Sequence, residues 1–475
     1  MQSRKDQVQA YFFVVGRLVA AVTHGRPDAL ESPNRRVKNG TMFGVLVAAL
    51  LMAVFGILGL FLPGGNTSWK QAGSIVMDKE TGAQFVYLDG QLHPALNYSS
   101  AKLASGNTGG TVSSVSRESM EGTPVGQPIG IPNAPDSIPT AETLRVTPWT
   151  VCVQPLPPNQ MIGNPTITLM IDAQAGTAAT HGQGLLVRTP DGALQLIWEG
   201  KRYRVTSPAV VDALGYGDTA PLEVPATWLN PIPAGRDLEV QDTPGAGQAG
   251  PLIDGKPSRV GQVYEVRNPA IDSSQFYLVR QDGVTPLNRM SAALLFAAPS
   301  TRDAYPGMQV APIQAGPSAI SGVPTSQGPD LVTGFPGVVP ETVIPPADSQ
   351  PCVRYASSAS GNMKVTLELQ PTSRVNAGAV DTAQHIAGTV ADRIVIPAGG
   401  GVLARDLPAP GAAPGTAYLI TDVGTKYPLA DANVLKSLGY SESSVMQVPT
   451  DLLALLPNGP ALSTAAATQV QSPTS

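Results

Sequence analysis

The longest uninterrupted apolar segment of the chain runs from Thr41 to Leu62, and none of its 22 residues is charged. As a helix rising 1.5 Å per residue it would be about 33 Å long, which matches the hydrocarbon core of a bilayer. A cleaved signal peptide has a shorter apolar stretch closer to the start of the chain. The pattern predicts a retained transmembrane helix at 41–62, with a buried core helix and a cleaved signal as the alternatives.

A second apolar pattern precedes the span and has helical spacing. Between Gln7 and Thr23 the large apolar side chains recur at i, i+3, i+4 and i+7, namely at Val8, Tyr11, Phe12, Val15, Leu18, Val19 and Val22. So short a helix cannot bury this stripe by itself, so it must dock on a partner helix or on the inner leaflet. The polar face is only modestly basic, which favours a protein partner bound through Tyr11, Phe12, Val15, Leu18 and Val19.

Charge around the span predicts its orientation. Seven basic residues and three acidic residues lie in positions 1–40, and Arg35, Arg36 and Lys38 are close to the span. The positive-inside rule therefore places residues 1–40 in the cytoplasm and residues 63–475 outside the membrane.

The exported part contains an internal duplication. Residues 196–238 match residues 420–462 at a constant offset of 224, with at least ten identities and no gap. The shared positions include Gly200 and Gly424, the Leu-Gly-Tyr triplets ending at Tyr216 and Tyr440, and Tyr203 with Tyr427. Each copy reads as strand, turn, strand and short helix, with the helix ending at Gly215 or Gly439.

Two shorter copies of the same pattern occur at Phe85–Leu103 and Phe276–Leu295, so the order is short, long, short, long. The predicted fold is α+β and β-rich: a single transmembrane helix, then an elongated, pseudo-twofold exported domain of four small αβ repeats around a central β domain. The predicted segments are a cytoplasmic helix and basic segment (1–40), the span (41–62), repeat 1 (63–110), a linker and first part of the central domain (111–184), repeat 2 (185–242), repeat 3 (243–305), a linker and second part of the central domain (306–399), repeat 4 (400–462) and a disordered tail (463–475).

The two cysteines predict a disulfide in the exported part, and the net charge argues against binding to nucleic acid. The two cysteines, Cys152 and Cys352, both lie on the exported side, where disulfides persist, so we expect them to pair; two buried thiols are the alternative. A net charge of −5 argues against a nucleic-acid binder. Gly (49) and Pro (46) are abundant, which predicts many turns and short strands rather than a helical bundle.

Catalytic and metal-binding motifs are weak. Gly245–Gly250 fits G-x-G-x-x-G, and Gly250, Gly255 and Lys256 fit G-x-x-x-x-G-K, but Pro257 stands where a phosphate loop needs Ser or Thr. A linker is the favoured interpretation, so we expect no cofactor. The histidines His93, His181 and His385 lack metal-ligand spacing, and G-x-S-x-G is absent. The repeated tyrosines, Trp149 and Trp228 could stack on sugars, but equivalent repeat positions favour packing.

These features together resemble the EccB component of type VII (ESX) secretion systems. The resemblance rests on Ser3–Phe13, on the single span, on Ala83–Ala101 and on the repeats with their two distant cysteines. It implies a membrane core-complex subunit that sits with an EccC-type motor ATPase, EccD and EccE, and that forms dimers within a hexameric machine. Residues 5–10, Lys-Asp-Gln-Val-Gln-Ala, are less basic than that family's pattern.

Three hypotheses follow for the function. The favoured one is a non-enzymatic scaffold that anchors and organises the exported face of the translocation machine. The alternatives are an exported-face ATP-binding or ATPase subunit, which the resemblance also suggests, and a cell-wall-binding module.

Overall fold

The structure is a computed structural model that describes residues 3–25, 34–61, 67–106, 112–145, 148–156, 163–357, 363–382, 389–409 and 411–471. The chain divides into two compact units. One comprises Met1–Lys70, Met77–Ala83 and Ser113–Thr123, and the other comprises Gln71–Val76, Gln84–Val112 and Pro124–Ser475. Leu62, at the end of the predicted span, and His385 lie outside the described residues.

The smaller unit contains the two N-terminal helices, α1 (Arg4–His24) and α2 (Asn34–Phe61). Val37–Ile57 within α2 is long and apolar enough to cross a membrane, with a mean hydropathy of 2.3. Helix α1 begins with a capping box, because the side chains of Ser3 and Asp6 satisfy each other's backbone N–H groups. The predicted apolar helix is therefore confirmed as a helix of sufficient length.

The same unit includes a small buried cluster around Trp69 and Ser119. Trp69 is 1% exposed, and its indole N–H donates to Ser119 Oγ at 3.1 Å. Ser119 belongs to the short helix α4 (Arg117–Met120). Asp78 accepts from Thr81 and from the backbone of Glu80, which lowers the pKa of its carboxyl to about 2.

Four small groups of strands and helices follow along the chain, each built on its own sheet. They are called the first to fourth units below and are distinct from the two compact units just described. The first has strands β1 (Ser74–Asp78), β2 (Gln84–Leu88), β3 (Gln91–Pro94) and β4 (Val112–Val115), with helix α3 (Tyr98–Ser105). The second has β8 (Gln183–Arg188), β9 (Leu194–Trp198), β10 (Lys201–Val205) and β11 (Leu222–Glu223), with α5 (Pro208–Ala213) and α6 (Ala226–Leu229).

The third has β12 (Val263–Asn268), β13 (Ser273–Arg280), β14 (Gly283–Leu287) and β15 (Ile313–Ala315), with α7 (Arg289–Phe296). The fourth has β21 (Gly401–Leu407), β22 (Ala417–Thr421), β23 (Lys426–Leu429) and β24 (Met446–Pro449), with α9 (Ala432–Ser437) and α10 (Thr450–Leu453). In the second, third and fourth units the first three strands form an antiparallel meander, and the fourth strand pairs in parallel with the first.

A central sheet joins the two halves of the chain. Its order is β19-β20-β6-β5-β17-β18-β7, formed by β5 (Trp149–Gln154), β6 (Thr166–Ile171), β7 (Thr177–Ala178), β17 (Ser349–Ser357), β18 (Met363–Pro371), β19 (Val380–Asp381) and β20 (Arg393–Val395). Strand β16 (Glu341–Thr342) pairs with β8, and α8 (Thr372–Asn376) follows β18. This arrangement confirms the α+β, strand-rich fold class.

The two faces of the central sheet differ, as the two-residue side-chain period of a strand requires. On β5, Trp149, Val151 and Val153 face a large apolar cluster that includes residues of α6 and α10. Trp228 of α6 donates its indole N–H to the carbonyl oxygen of Val151 at 3.0 Å. Cys152 lies on the opposite face, in a small cluster of its own.

The structure corrects the alignment of the duplicated segments by one residue. Strand pairing sets Leu196 opposite Tyr203 in the second unit and Leu419 opposite Tyr427 in the fourth. Leu196 therefore corresponds to Leu419, at an offset of 223, while the tyrosines keep the offset of 224. The reason is the hairpin turn, which has one residue more before Gly424 than before Gly200, so the gap-free match is wrong in the first strand.

The predicted disordered tail is also wrong over 463–471. These residues form helix α11 (Thr464–Ala467) and a short extended segment. Ala467 is completely buried, and Ser463 caps α11 by accepting from the Ala466 N–H at 3.0 Å. Gln471 donates its backbone N–H to Pro128 and its side-chain amide to Gly130. The small residues pack closely against α3, which a count of polar residues could not reveal.

Candidate functional site

The phosphate-loop candidate folds as a tight hairpin turn. Ile253 and Lys256 exchange backbone hydrogen bonds of 2.9 Å in each direction, and Asp254 and Gly255 between them have φ values of 53° and 70°. Two left-handed residues in a two-residue loop make a type I′ turn, for which Asp-Gly is a preferred sequence. A phosphate loop instead leads into a helix whose N–H groups hold the phosphates. Here Lys256 is exposed, and the next element is strand β12.

The neighbouring G-x-G-x-x-G match has structural uses for its glycines. Gly247 has a φ of 84°, and a Cβ there would lie 2.8 Å from the carbonyl oxygen of Asp303. Gly250 pairs through its N–H with the carbonyl oxygen of Ser258 at 2.9 Å. These glycines therefore allow close backbone approach within the third unit, and the fold around them has no strand–loop–helix arrangement.

Helix α1 exposes most of its predicted docking stripe. Tyr11, Phe12 and Leu18 are 67%, 68% and 61% exposed. Val15 is less exposed, at 38%, and Val19 is half-buried. The structure adds one feature: Phe13, about 100° around the helix from Phe12, is equally exposed at 66%. Its ring lies under the Arg17 guanidinium at 5.8 Å, a cation–π contact on the face opposite the stripe.

Cys152 and Cys352 form a disulfide. They are direct partners in the register of β5 and β17, and both are completely buried. The bond therefore joins strands that are 200 residues apart in the chain.

The repeated tyrosines are packed rather than displayed for sugar stacking. The ring of Tyr203 lies against Gly235 and the ring of Tyr427 against Gly459, so closely that neither glycine position has room for a side chain. Both tyrosines are buried, as are Tyr216 and Tyr440. Trp149 and Trp228 are completely buried, so none of these rings offers a face to a ligand.

His93 and His181 each contact an oxygen-bearing group of the protein. His93 Nδ1 lies 3.0 Å from the carbonyl oxygen of Gln127, and His181 contacts Glu199. Over the part of the chain that the structure describes, no group of three or more His, Cys, Asp or Glu side chains is arranged to hold a metal ion.

Sequence reasoning missed a buried polar network on the cysteine face of the central sheet. Glu368 is 2% exposed and accepts from the Gly176 N–H at 3.1 Å and from the Gln370 amide at 2.9 Å, and Arg354 lies 4.0 Å away. A buried carboxylate is costly unless it is hydrogen-bonded and paired, as this one is. The network fastens the loop after β6 to the sheet; no local sequence signal marks it.

Lys426 is a second buried charge that the sequence does not reveal. Its Nζ donates to the carbonyl oxygens of Leu453 and Leu456 at 2.5 and 2.9 Å, at the end of α10. Burial lowers the pKa of this ammonium to about 8, and Asp406 partly opposes the shift. Arg202, the corresponding residue of the second unit, donates in the same way to Ile232 at 2.9 Å.

A cleft of about 520 Å³ lies beside Arg202 between the second unit and the central sheet. Its two carboxylates are engaged locally: Asp392 accepts from the Ile167 N–H at 2.6 Å, and Asp191 from Thr189. The bond from Thr189 lowers the pKa of the Asp191 carboxyl, so it stays ionised at neutral pH. The cleft therefore presents no paired general acid and base.

Comparison with known proteins identifies the family. The model of the family described as "Type VII secretion system ESX-1, transport TM domain B" matches residues 1–473. The ESX-3 secretion system ATPase EccB3 of Mycolicibacterium smegmatis is 28% identical, over 97% of this chain and 89% of that protein. The ESX-2 secretion system ATPase EccB2 of Mycobacterium tuberculosis is also 28% identical, over 98% of this chain and 94% of that protein.

Solved structures show the same fold. An EccB3 dimer from the ESX-3 core complex superposes with a TM-score of 0.69 at 26% identity, covering 83% of this chain and 100% of that chain. A chain of an intact ESX-5 inner membrane complex superposes with a TM-score of 0.68 at 22% identity, covering 100% of this chain and 96% of that chain. Among the described residues, one helix is long and apolar enough to cross a membrane, and together with the large strand-rich unit it fits a single-pass membrane protein. The chain belongs to the EccB family, whose members are components of the ESX inner membrane core complex.

Proposed function

We propose that this chain is a structural subunit of a type VII secretion inner membrane complex, which anchors and organises the exported face of the translocation machine. In this proposal α2 spans the membrane, α1 lies in the cytoplasm and the strand-rich unit lies on the extracytoplasmic side. Lys and Arg flank the N-terminal end of the span, and the disulfide between Cys152 and Cys352 suits an oxidising compartment; both features support this orientation.

The observation that carries the proposal is the exposed apolar stripe of α1. Phe12 and Leu18 would each cost free energy in water, and 21 residues of helix cannot cover them from within. The exposed apolar side chains of such a helix are stabilised only when a partner buries them. We therefore propose α1 as the cytoplasmic docking element, bound through Tyr11, Phe12, Val15, Leu18 and Val19.

The partners follow from the family. Solved relatives come from ESX inner membrane complexes, and one is described as a dimer. We propose that this chain assembles with an EccC-type motor ATPase, EccD and EccE, and that it self-associates as dimers within a hexameric complex.

ATP hydrolysis is the second candidate function, because the curated relatives are named ATPases. The exposed Asp254–Gly255 turn and Lys256 offer no phosphate cradle, which favours the scaffold. The test is ATP turnover by the purified full chain and by Lys256→Ala. The scaffold proposal expects no turnover above a mock preparation, whereas turnover that Lys256→Ala abolishes would refute it.

A matched pair of substitutions tests the docking element. Phe12→Glu lies on the stripe and Phe13→Glu lies off it, at nearly equal exposure, so their effects on helix formation are similar. We expect Phe12→Glu to reduce co-purification of membrane partners at least tenfold and Phe13→Glu to reduce it much less. Equal losses would indicate that α1 is embedded in lipid, and no loss in either variant would exclude α1 as the docking element.

A further inference from the structure

The two segments that lead into the central sheet each pair with the opposite half of the chain. We name residues 124–145 the first connector and residues 324–343 the second connector; the first half is 84–242 and the second half is 243–462. The first connector ends by donating the Arg145 N–H to the carbonyl oxygen of Gly401, in β21, at 2.7 Å. The second connector ends with β16 in parallel with β8, where the Val343 N–H donates to Gly184 at 2.8 Å.

Each connector also accepts a hydrogen bond from a buried tyrosine of the opposite half. Tyr440 of the second half donates its hydroxyl to the carbonyl oxygen of Pro139 at 2.5 Å. Tyr216 of the first half donates to the carbonyl oxygen of Pro340 at 2.7 Å. The two tyrosines are equivalent residues of the duplication, and the two prolines lie at equivalent points of the connectors.

The start of each connector, by contrast, stays with its own half. The Leu92 N–H of β3 donates to Pro124 at 2.8 Å, and the Val284 N–H of β14 donates to Pro324 at 2.9 Å. Each connector therefore begins on a unit of its own half and ends on a unit of the other half.

The apolar cores are shared in the same crossed manner. One cluster combines Val86 and Leu103 of the first unit with Leu419 and Leu435 of the fourth. Another combines side chains of the second unit with Met290 and Leu294 of the third. Neither half contains all of any of these cores, nor of the central cluster, to which strands of both halves contribute.

We propose that the part of the chain after the span is an intramolecular counterpart of a domain-swapped dimer: two interlocked halves, each of which is the other's binding partner. The crossed connectors, the crossed cores and the central pairing of Cys152 with Cys352 relate the halves by one approximate twofold. The surface that a half would offer to a second copy in a homodimer is here filled by the other half. Neither half reaches its native structure without the other, and the disulfide is not what holds them together.

Amide hydrogen exchange tests the interlock in the full chain. The exchange rate is measured in each connector after substitution of the tyrosine that binds it from the opposite half. Tyr440→Phe should raise the exchange rate of the Arg145 amide in the first connector about five- to tenfold and leave that of Val343 unchanged, because one buried hydrogen bond is lost. Tyr216→Phe should raise the exchange rate of Val343 and leave that of Arg145 unchanged. Tyr11→Phe, on α1, is the control and should change neither. Effects confined to the unit that carries the substitution would overturn the proposal.

A cleavage experiment tests the same proposal without altering either of the two tyrosine hydrogen bonds. A protease site inserted after Asp242, which is exposed and is the last residue of the first half, allows the folded full chain to be cut between the two halves. After cutting and reduction of the disulfide, the two fragments should still co-elute in mild detergent with unchanged circular dichroism. Separation of the fragments without denaturant would show that the disulfide, not the interlock, holds the halves together.

Discussion

Gly200 lies directly against the carbonyl oxygen of Val365, so that a methyl group at Gly200 would overlap that oxygen. The contact sets the β9–β10 turn against strand β18 of the central sheet. Gly200 also has a φ of 71°, which is costly for any residue with a Cβ. We expect Gly200→Ala to lower the free energy of unfolding by more than 2 kcal/mol, through about 1 kcal/mol of backbone strain plus displacement of the turn.

Gly192 is the matched control for this prediction. It has a φ of 85° in the preceding turn of the same sheet, but a Cβ there would meet nothing within 4 Å. Gly192→Ala should therefore cost only the strain, about 1 kcal/mol. Chemical denaturation of both variants measures the difference, and equal losses would show that the contact with Val365 does not matter.

The disulfide should contribute to stability without being needed for the fold. Strands β5 and β17 pair through their backbones, so the central sheet can form with the thiols reduced. We expect the double variant Cys152→Ala, Cys352→Ala to fold but to lose about 2–4 kcal/mol, as is typical of a native disulfide. Urea denaturation monitored by fluorescence checks this, and an unfolded double variant would contradict it.

Lys426 predicts a specific pH dependence. The folded-state pKa is about 8, below the ordinary 10.5, so between these values the unfolded chain holds a proton that the folded chain has released. Stability from this group therefore rises as the pH increases from about 8 towards 10.5. Compared with Lys426→Met, the wild type should gain stability between pH 8 and pH 10. A difference that stays constant over this range would contradict the shifted pKa.

The C-terminal segment should act as a clasp on the first unit. Deleting residues 463–475 removes the buried Ala467 and frees the Gly130 N–H, which donates to Gln469 at 3.3 Å. We expect faster hydrogen exchange at Gly130 and in α3, together with a lower melting temperature. Deleting 472–475 alone should leave the exchange at Gly130 and the melting temperature unchanged; if the longer deletion also leaves them unchanged, the segment is not a clasp.

The orientation of the chain can be read from introduced cysteines, because the native pair is bonded and buried. In spheroplasts, a membrane-impermeant maleimide should label Gln309→Cys but not Gln9→Cys until the membrane is opened. Labelling of Gln9→Cys in intact spheroplasts would place α1 outside and contradict the proposed topology.

Periodic and repeated features of the sequence predict the fold well, because they report which faces are buried. The helical period of α1, the length of α2 and the duplicated Gly-Tyr positions all correspond to elements of the structure. The pairing of Cys152 with Cys352 is likewise present. The predicted domain boundaries and the roles of the α1 residues remain predictions.

What the sequence did not predict depends on contacts between distant segments. The one-residue shift between Leu196 and Leu419 needs the hairpin register, and the packing of 463–471 needs the surface of the first unit. The carboxylate of Glu368 and the ammonium of Lys426 look like surface charges until their partners come from elsewhere in the chain. The G-x-x-x-x-G-K match, for which a linker was the favoured interpretation, is a hairpin turn, and spacing alone does not distinguish such a turn from a loop that opens a helix.

The most direct test of the scaffold account is native-gel sizing of the full chain after mild detergent extraction, with mass spectrometry of the co-migrating bands. The account predicts a very large particle that contains a P-loop motor ATPase and multispanning membrane subunits, and that loses this chain when Phe12 is replaced by Glu. A small monomer or homodimer without these partners would contradict the account.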